Sequence, residues 1–501
     1  MGKVLMQFDD SLSFLPFDMP ENIALEPGVL AMSNGEGELL FYTNGNVVVS
    51  WDHKIMHGGK GFNEGSTYAD FDVDGKDTTY NISYLPFTYR VVPDPYDENT
   101  YYLIQPWVIF MGDCPGFDAT RMQISKIDMS AHGGRGKVVY KNRIFDEEPM
   151  ATGQALVRHG NGRDWWFVRR SHDGMTFRSI LLHRDSVVQV VTSEILGLGT
   201  DWPSWLDCEA TSLSDLYPSV DGSMLIDKYG QKAAKLLSFD RCNGEVVLLD
   251  TITTGIFPLV YGVGDTLKTA ITLYEFSPSG RYLYGASYGE FAQWDLEAPD
   301  ITASRVRLGG VPWAMHDIDQ VVMPGIRGGL SLFAHGPDGK IYNLQRTSHS
   351  VIHHPDEPGE ASGLCLAADI GIGSCLGPDV PYWLYSNRHP NYRLGALEGS
   401  GCDTIISSTK EPLSSVGYSV SASPSPASGQ VEVSITLPGY GGSTAEIQLV
   451  DMLGRVLHRH RFPPYAYLHI LEVGGWPPGL YNVVLLENGR ARASARLVVG
   501  R

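Results

Sequence analysis

One turn recurs through most of this chain at nearly constant spacing, and that period constrains the fold more than any other feature. The clearest copy opens Phe276 to Leu296, FSPSGRYLYGASYGEFAQWDL, where Ser277, Pro278, Ser279 and Gly280 separate β-prone runs. Proline presets one turn torsion and glycine accepts a positive φ. Related stretches are SNGEGELLFY (Ser33 to Tyr42), DPYDENTYYLI (Asp94 to Ile104), HGNGRDWWFV (His159 to Val168), YPSVDGSMLI (Tyr217 to Ile226) and HGPDGKIYNL (His335 to Leu344). Taking Gly37, Asn99, Gly162, Gly222, Gly280 and Gly339 as equivalent, the steps are 62, 63, 60, 58 and 59 residues. A repeat of that length cannot bury the faces of its short strands alone, so copies must stack. Linear β-solenoids use much shorter repeats, which leaves radial stacking. The expected fold is all-β: a β-propeller of six blades, or seven if residues 364–390 pair as a blade of their own, closed by a strand near Trp383 against the first.

Length and composition agree with a β-rich chain of two domains. The 501 residues exceed one ordinary core, and 56 Gly with 30 Pro suit many short strands and turns. With 38 basic and 57 acidic residues the formal charge is −19, which disfavours nucleic acid or anionic lipid as a partner. No run of about eighteen apolar residues occurs, so no membrane-spanning helix is expected. MGKVLMQFDDSLSF lacks a signal-peptide h-region, and Met6 stands where a myristoylation motif needs Ser or Thr.

From Gly395 the composition shifts to Gly, Ser, Pro and Ala as far as SASPSPASG, the pattern of a linker over 395–417. Beyond it Val431, Val433, Ile435 and Leu437 alternate with polar or small residues, as do Ile447 with Leu449 and Tyr481, Val483 with Leu485. Such alternation predicts a small immunoglobulin-like β-sandwich. The expected division is a lead-in (1–27), the propeller (28–394), the linker (395–417) and the sandwich (418–501).

Two resemblances add to this reading. LLFYTNGNVVVSWDHKIMHGGKGF resembles the opening blade of a secreted Bacteroidota propeller family, often gliding-motility-associated or type IX-sorted. The likeness continues through RVVPDPYDENTYYLI, ISKIDMSAHGGRGKVVYKNRIF, LLSFDRCNGEV and HPNYRLGALEGSGCDT, covering roughly residues 30 to 404. STYADFDVDGKDTTYNIS departs from it, because the family has a shorter crossing there. The C-terminal stretch resembles the type IX secretion sorting domain. The matching positions are Pro424 and Pro426, then Asp451, Gly454 and Arg455 in DMLGR, then Pro478, Gly479, Leu480 and Tyr481. That resemblance implies a type IX translocon and its sortase as partners, cleavage near the linker, and a secreted or outer-membrane surface location. Such cargo first crosses the inner membrane on a signal peptide, so the natural start is expected to lie upstream of Met1. Export also makes oxidation available, and Cys365 with Cys375 is the expected local disulfide.

Signatures of local chemistry are few. HExxH and GxxxxGK[ST] do not occur, and Cys114, Cys208, Cys242, Cys365, Cys375 and Cys402 show no CxxC spacing. Asp70, Asp72 and Asp74 before Gly75 form DxDxDG, a candidate Ca2+ loop with Asp77, although Asn81 stands where an EF-hand needs Glu. His53 and His57 beside Asp52 are a weaker metal pair, since four-residue spacing in a strand does not bring side chains together. His316, Asp317 and Asp319, and likewise His353, His354, Asp356 and Glu357, are polar clusters read as turn chemistry or as an acid-base group. Trp165, Trp166, Trp202, Trp205, Trp294 and Trp313 suit packing between blades better than a sugar-binding wall. The functional expectation is a binding or adhesion module for a glycan or protein. The alternative is a polysaccharide hydrolase or lyase with a blade-top acid-base site, which needs two carboxylates about 5–9 Å apart.

Overall fold

The structure is a computed structural model. It describes residues 3–8, 12–17, 29–62, 89–111, 116–151, 153–171, 174–195, 216–229, 233–254, 256–261, 265–270, 273–287, 290–309, 331–345, 349–366, 375–376, 389–397, 400–402, 418–437, 445–451, 456–462, 468–487 and 490–500. The protein is all-β and falls into two compact units, Met1–Leu397 and Glu398–Arg501.

The larger unit contains a series of antiparallel sheets, each formed by strands consecutive in sequence. Sheet 1 is Leu30–Ser33, Leu39–Thr43 and Val48–Ser50. Sheet 2 is Arg90–Asp94, Asp97–Met111, Gly116–Asp128 and Lys137–Asp146. Sheet 3 is Gln154–Arg158, Trp165–Arg170, Thr176–His183 and Ser186–Glu194. Sheet 4 is Leu216–Pro218, Met224–Tyr229, Ala233–Phe239 and Val246–Thr253. A hairpin, Ile256–Tyr261 with Asp265–Ala270, precedes sheet 5, which is Leu273–Phe276, Tyr282–Ser287, Glu290–Asp295 and Val306–Gly309. Sheet 6 is Ser331–His335, Ile341–Gln345, His349–Ile352 and Leu364–Cys365, and a further hairpin joins Lys3–Phe8 to Leu12–Phe17.

Strand periodicity explains why these sheets stack. Successive side chains of a strand point to opposite faces, so a strand inside a stack serves two cores. In sheet 3, Leu156, Trp165 and Phe167 pack with Val92, Tyr102 and Ile104 of sheet 2. Their neighbours Val157, Trp166 and Val168 pack with Leu216, Leu225 and Leu237 of sheet 4. The same handover continues through Ile226 with Trp294 and through Tyr284 with Phe333, while Phe41 with Leu103 joins sheets 1 and 2. Trp165–Arg170 is therefore buried along its whole length, whereas the outermost strand Ser186–Glu194 is mostly exposed. First strands lie against first strands in sheets 3 and 4, 4 and 5, and 5 and 6, and the fourth strands of sheets 3 and 4 meet as well.

Polar bonds staple neighbouring sheets together. Arg170 Nη1 of sheet 3 lies 3.1 Å from Asp227 Oδ1 of sheet 4, and Lys235 Nζ lies 3.7 Å from Asp227 Oδ2, all three side chains being buried. Burial pushes the Asp227 carboxyl up, against the pull of both cations. Between sheets 2 and 3, Asp146 pairs with Arg169 and with Arg178, the latter at 3.0 Å.

The smaller unit has its own core. One sheet is Ser419–Ser423, Gln430–Thr436 and Leu468–Glu472; the other, in spatial order, is Val456–Phe462, Ala445–Asp451, Gly479–Glu487 and Arg490–Val499. Val431, Val433 and Ile435 face Ile447, Leu449, Val483, Leu485 and Leu497 across the gap.

Candidate binding surface at the turn end of the sheets

The first two strands of each sheet meet in a turn, and five of these turns share one geometry. The amide of Gly37, Gly162, Gly222, Gly280 or Gly339 donates to the carbonyl three residues earlier, at 2.9 to 3.1 Å. All five glycines have φ between 70° and 84°, where a side chain is strained. Sheet 2 differs. Its strands are joined by Pro95 and Tyr96, with Asp94 paired to Asp97, so Asn99 lies inside the second strand and is not a turn residue. The shorter turn leaves the Tyr96 ring 46% exposed at its tip.

Residues 389–397 run along neighbouring turns. Tyr392 Oη donates to the Val91 carbonyl at 2.7 Å, and Arg158 Nη2 donates to the Tyr392 carbonyl at 3.1 Å. Asn391 Nδ2 donates to Val220 O at 2.7 Å, and the Leu397 amide to Gly160 O at 2.7 Å. A Cβ on Gly162 would stand 2.6 Å from the Ala396 amide nitrogen, so glycine is required for space as well as for torsion. His389 is exposed and its ring meets the Tyr392 ring edge-on at 5.9 Å.

Beside this strap the turns of sheets 2 and 3 bring together groups distant in sequence. The Arg184 and Arg163 guanidinium carbons lie 5.9 and 6.0 Å from the Tyr96 ring centroid, within cation–π range. His183 meets the same ring edge-on at 5.4 Å. Two buried carboxylates hold the set. Asp94 accepts from the Tyr96 amide at 2.9 Å, Tyr102 Oη at 2.6 Å and Arg184 Nε at 2.9 Å. Asp164 lies 2.8 Å from His183 Nδ1 and accepts from Asn161 Nδ2 at 2.8 Å. Local sequence gave no signal for this group, whose members come from separate sheets.

The residues singled out from sequence fare differently. Asp70, Asp72, Asp74, Asp77, His316, Asp317, Asp319, Trp202, Trp205 and Trp313 lie outside the described residues, as do Trp383, Gly454 and Arg455. Asp52 pairs with Arg135 at 3.0 Å and Lys54 at 3.6 Å, while His53 turns to Tyr42 and His57 to the His132 ring. Among the described residues no three His, Cys, Asp or Glu side chains gather as a metal site. Asp356 accepts from the Ser279 amide at 2.9 Å, and the Glu357 carbonyl accepts from Gln293 at 2.9 Å, so this cluster staples sheet 6 to sheet 5. Trp166 and Trp294 are fully buried between sheets, and Trp165 lies under Arg158 at 4.4 Å. Cys365 and Cys375 form a disulfide with Cα atoms 6.0 Å apart; Cys242 and Cys402 each take part in a further disulfide, not with one another.

In the smaller unit the quoted motif residues converge pairwise. Asp451 is directly opposite Tyr481 in the ladder, and Tyr481 Oη donates to Pro477 O at 2.6 Å. Pro424 and Pro426 both follow cis peptide bonds. Ser425 Oγ accepts from the Val498 amide at 2.9 Å, and the Ala427 amide donates to Val498 O at 2.8 Å, clasping the PSP segment to the last strand. Residues 421–500 match the family model of the secretion system C-terminal sorting domain. This unit is a type IX secretion sorting domain. The sorting domain makes the protein a secreted or cell-surface protein of the Bacteroidota type and implies contact with the type IX machinery. Among the described residues no helix is long and apolar enough to cross a membrane.

No curated protein matches the chain. Among solved structures, a functionally unknown protein from Desulfotomaculum acetoxidans DSM 771 aligns over 55% of this chain and 68% of its own, at 11% identity and TM-score 0.32. Kluyveromyces lactis Hsv2 aligns over 68% and 83%, at 11% identity and TM-score 0.31. Saccharomyces cerevisiae Sqt1 aligns over 68% and 74%, at 9% identity and TM-score 0.31.

Proposed function

We propose that residues 28–394 close into a six-bladed propeller that binds a glycan or protein ligand at the cell surface or after release. On this reading residues 395–417 are the linker, its first three residues held against the turns of sheet 3, and the sorting domain, 418–501, is removed beyond them. The observation that carries the binding role is the Tyr96 group: an exposed aromatic ring flanked by two guanidinium groups and an imidazole, with Arg184 and His183 held by buried carboxylates. Fixing such side chains before a ligand arrives removes part of the entropy cost of binding. Closure is supported by the handover of cores from sheet to sheet and by the alignment of first strand against first strand, since an unclosed stack leaves two sheet faces to solvent.

The experiment is a binding screen of the full-length chain against immobilised glycans and outer-membrane proteins, with a scattering profile in the same buffer. Saturable binding by a compact particle is expected. An extended, open arc in solution would refute the ring, and a screen without any saturable partner would refute the binding role.

A further inference from the structure

We infer that Tyr96, Arg163, His183 and Arg184 form a subsite for an acidic sugar, a pyranose bearing a carboxylate within a polysaccharide. This deepens the binding-module reading and rests on it. The argument begins with the ring. Tyr96 is 46% exposed at the tip of a two-residue turn, and its backbone is held by the bond from its amide to Asp94. An exposed aromatic face supplies contact area at low entropic cost, and the apolar face of a sugar ring fits it. The cations come next. Arg184 commits Nε to Asp94 and keeps 43% of its side chain, which ends in a planar donor fork, exposed beside the ring. That fork matches a carboxylate in two parallel hydrogen bonds. Arg163 stands at the same distance from Tyr96, as a second cation. His183 is 31% exposed and directs Nδ1 to Asp164, so Nε2 is the nitrogen left for a hydroxyl of the ligand.

The combination selects a ligand class. A neutral sugar uses the ring but not the guanidinium groups; a free inorganic anion uses the guanidinium groups but not the ring. An acidic pyranose uses both. The chain as a whole carries −19 formal charges, so general attraction of polyanions is opposed and binding depends on this local patch.

The test is calorimetric titration of the full-length chain with a defined oligogalacturonide, with a neutral gluco-oligosaccharide and inorganic phosphate run alongside. The oligogalacturonide is expected to bind, with affinity falling several-fold from low to physiological salt as the few charge contacts are screened. Tyr96→Ala and Arg163→Gln are each expected to weaken it at least tenfold at an unchanged melting temperature. Tyr96 is exposed and Arg163 half-buried, so the unchanged melting temperature is what makes loss of binding a reading of the subsite itself. Wild-type affinity in folded Tyr96→Ala overturns the proposal, as does phosphate binding equal to that of the oligogalacturonide. Lack of oligogalacturonide binding also overturns it. If a neutral glycan or a protein binds instead, the module reading survives and only the acidic-sugar assignment falls.

Discussion

Tyr392 Oη donates a 2.7 Å hydrogen bond to the carbonyl of Val91, 301 residues earlier in the chain. The same ring meets Trp165 of sheet 3 edge-on at 6.1 Å, so one side chain ties a late segment to two early sheets. A contact between such distant parts adds nothing until the intervening chain has folded, and its loss is felt across several sheets at once. Burial pushes the Tyr392 hydroxyl well above its ordinary pKa, which keeps it a donor throughout the accessible pH range. Tyr392→Phe keeps the ring and removes the donor to the Val91 carbonyl. Denaturant unfolding is expected to show a loss of about 1–2 kcal/mol. An unchanged midpoint at unchanged slope would show that the strap does not bear on stability.

The ionic trio between sheets 3 and 4 gives a larger expected effect. Asp227→Ala leaves Arg170 and Lys235 buried with the carboxylate that neutralised them gone. Breaking a buried pair in this way costs about 3–5 kcal/mol. Thermal unfolding of the variant should begin at a lower temperature, with exposure of Trp166 and Trp294, which sit in the cores either side of sheet 4. A variant as stable as the parent would mean that the trio is neutral in the folded protein.

His349, 1% exposed in sheet 6, has its pKa lowered to about 4 by desolvation. Its folded pKa lies below the unfolded value of about 6.5, so between these values the unfolded chain binds more protons than the folded one. Its contribution is present in full above about pH 6.5 and is lost as pH falls toward 4. The magnitude, for one group shifted this far, is about 3 kcal/mol. Melting temperatures measured from pH 7.5 to 4.5 should fall, and His349→Gln should flatten that fall. Parallel curves for the two proteins would assign the acid sensitivity elsewhere.

The last strand of the sorting domain fills its core with Leu497, which has no exposed surface, and clasps the PSP segment through Val498. Leu497→Asp buries a charge without a partner, at a cost of several kcal/mol. When a sorting-domain fusion is followed in a type IX-competent cell, the parent should reach the surface and the variant should stay in the periplasm. Surface delivery of the variant at parental levels would show that export reads the terminal sequence and not the folded sandwich.

What the sequence determined by itself was whatever depends on a few neighbouring residues. Left-handed turn glycines are a local requirement, so Gly37, Gly162, Gly222, Gly280 and Gly339 disclosed the sheet period without a structure. Alternation along Val431, Val433 and Ile435 disclosed the sandwich, and the DMLGR and PGLY stretches disclosed its sorting identity. Where local chemistry was ambiguous the period misled: Asn99 kept the spacing, but Pro95 and Tyr96 make the turn. Only the tertiary structure decided which face of each strand serves which neighbour, where the strap at Tyr392 anchors, and that Tyr96, Arg163, His183 and Arg184 share one surface. These residues are brought together by the stacking of sheets 2 and 3 and by the buried carboxylates Asp94 and Asp164. Stacking is set by the sum of many apolar contacts along both sheets, which leaves no mark on the residues next to any one of the four.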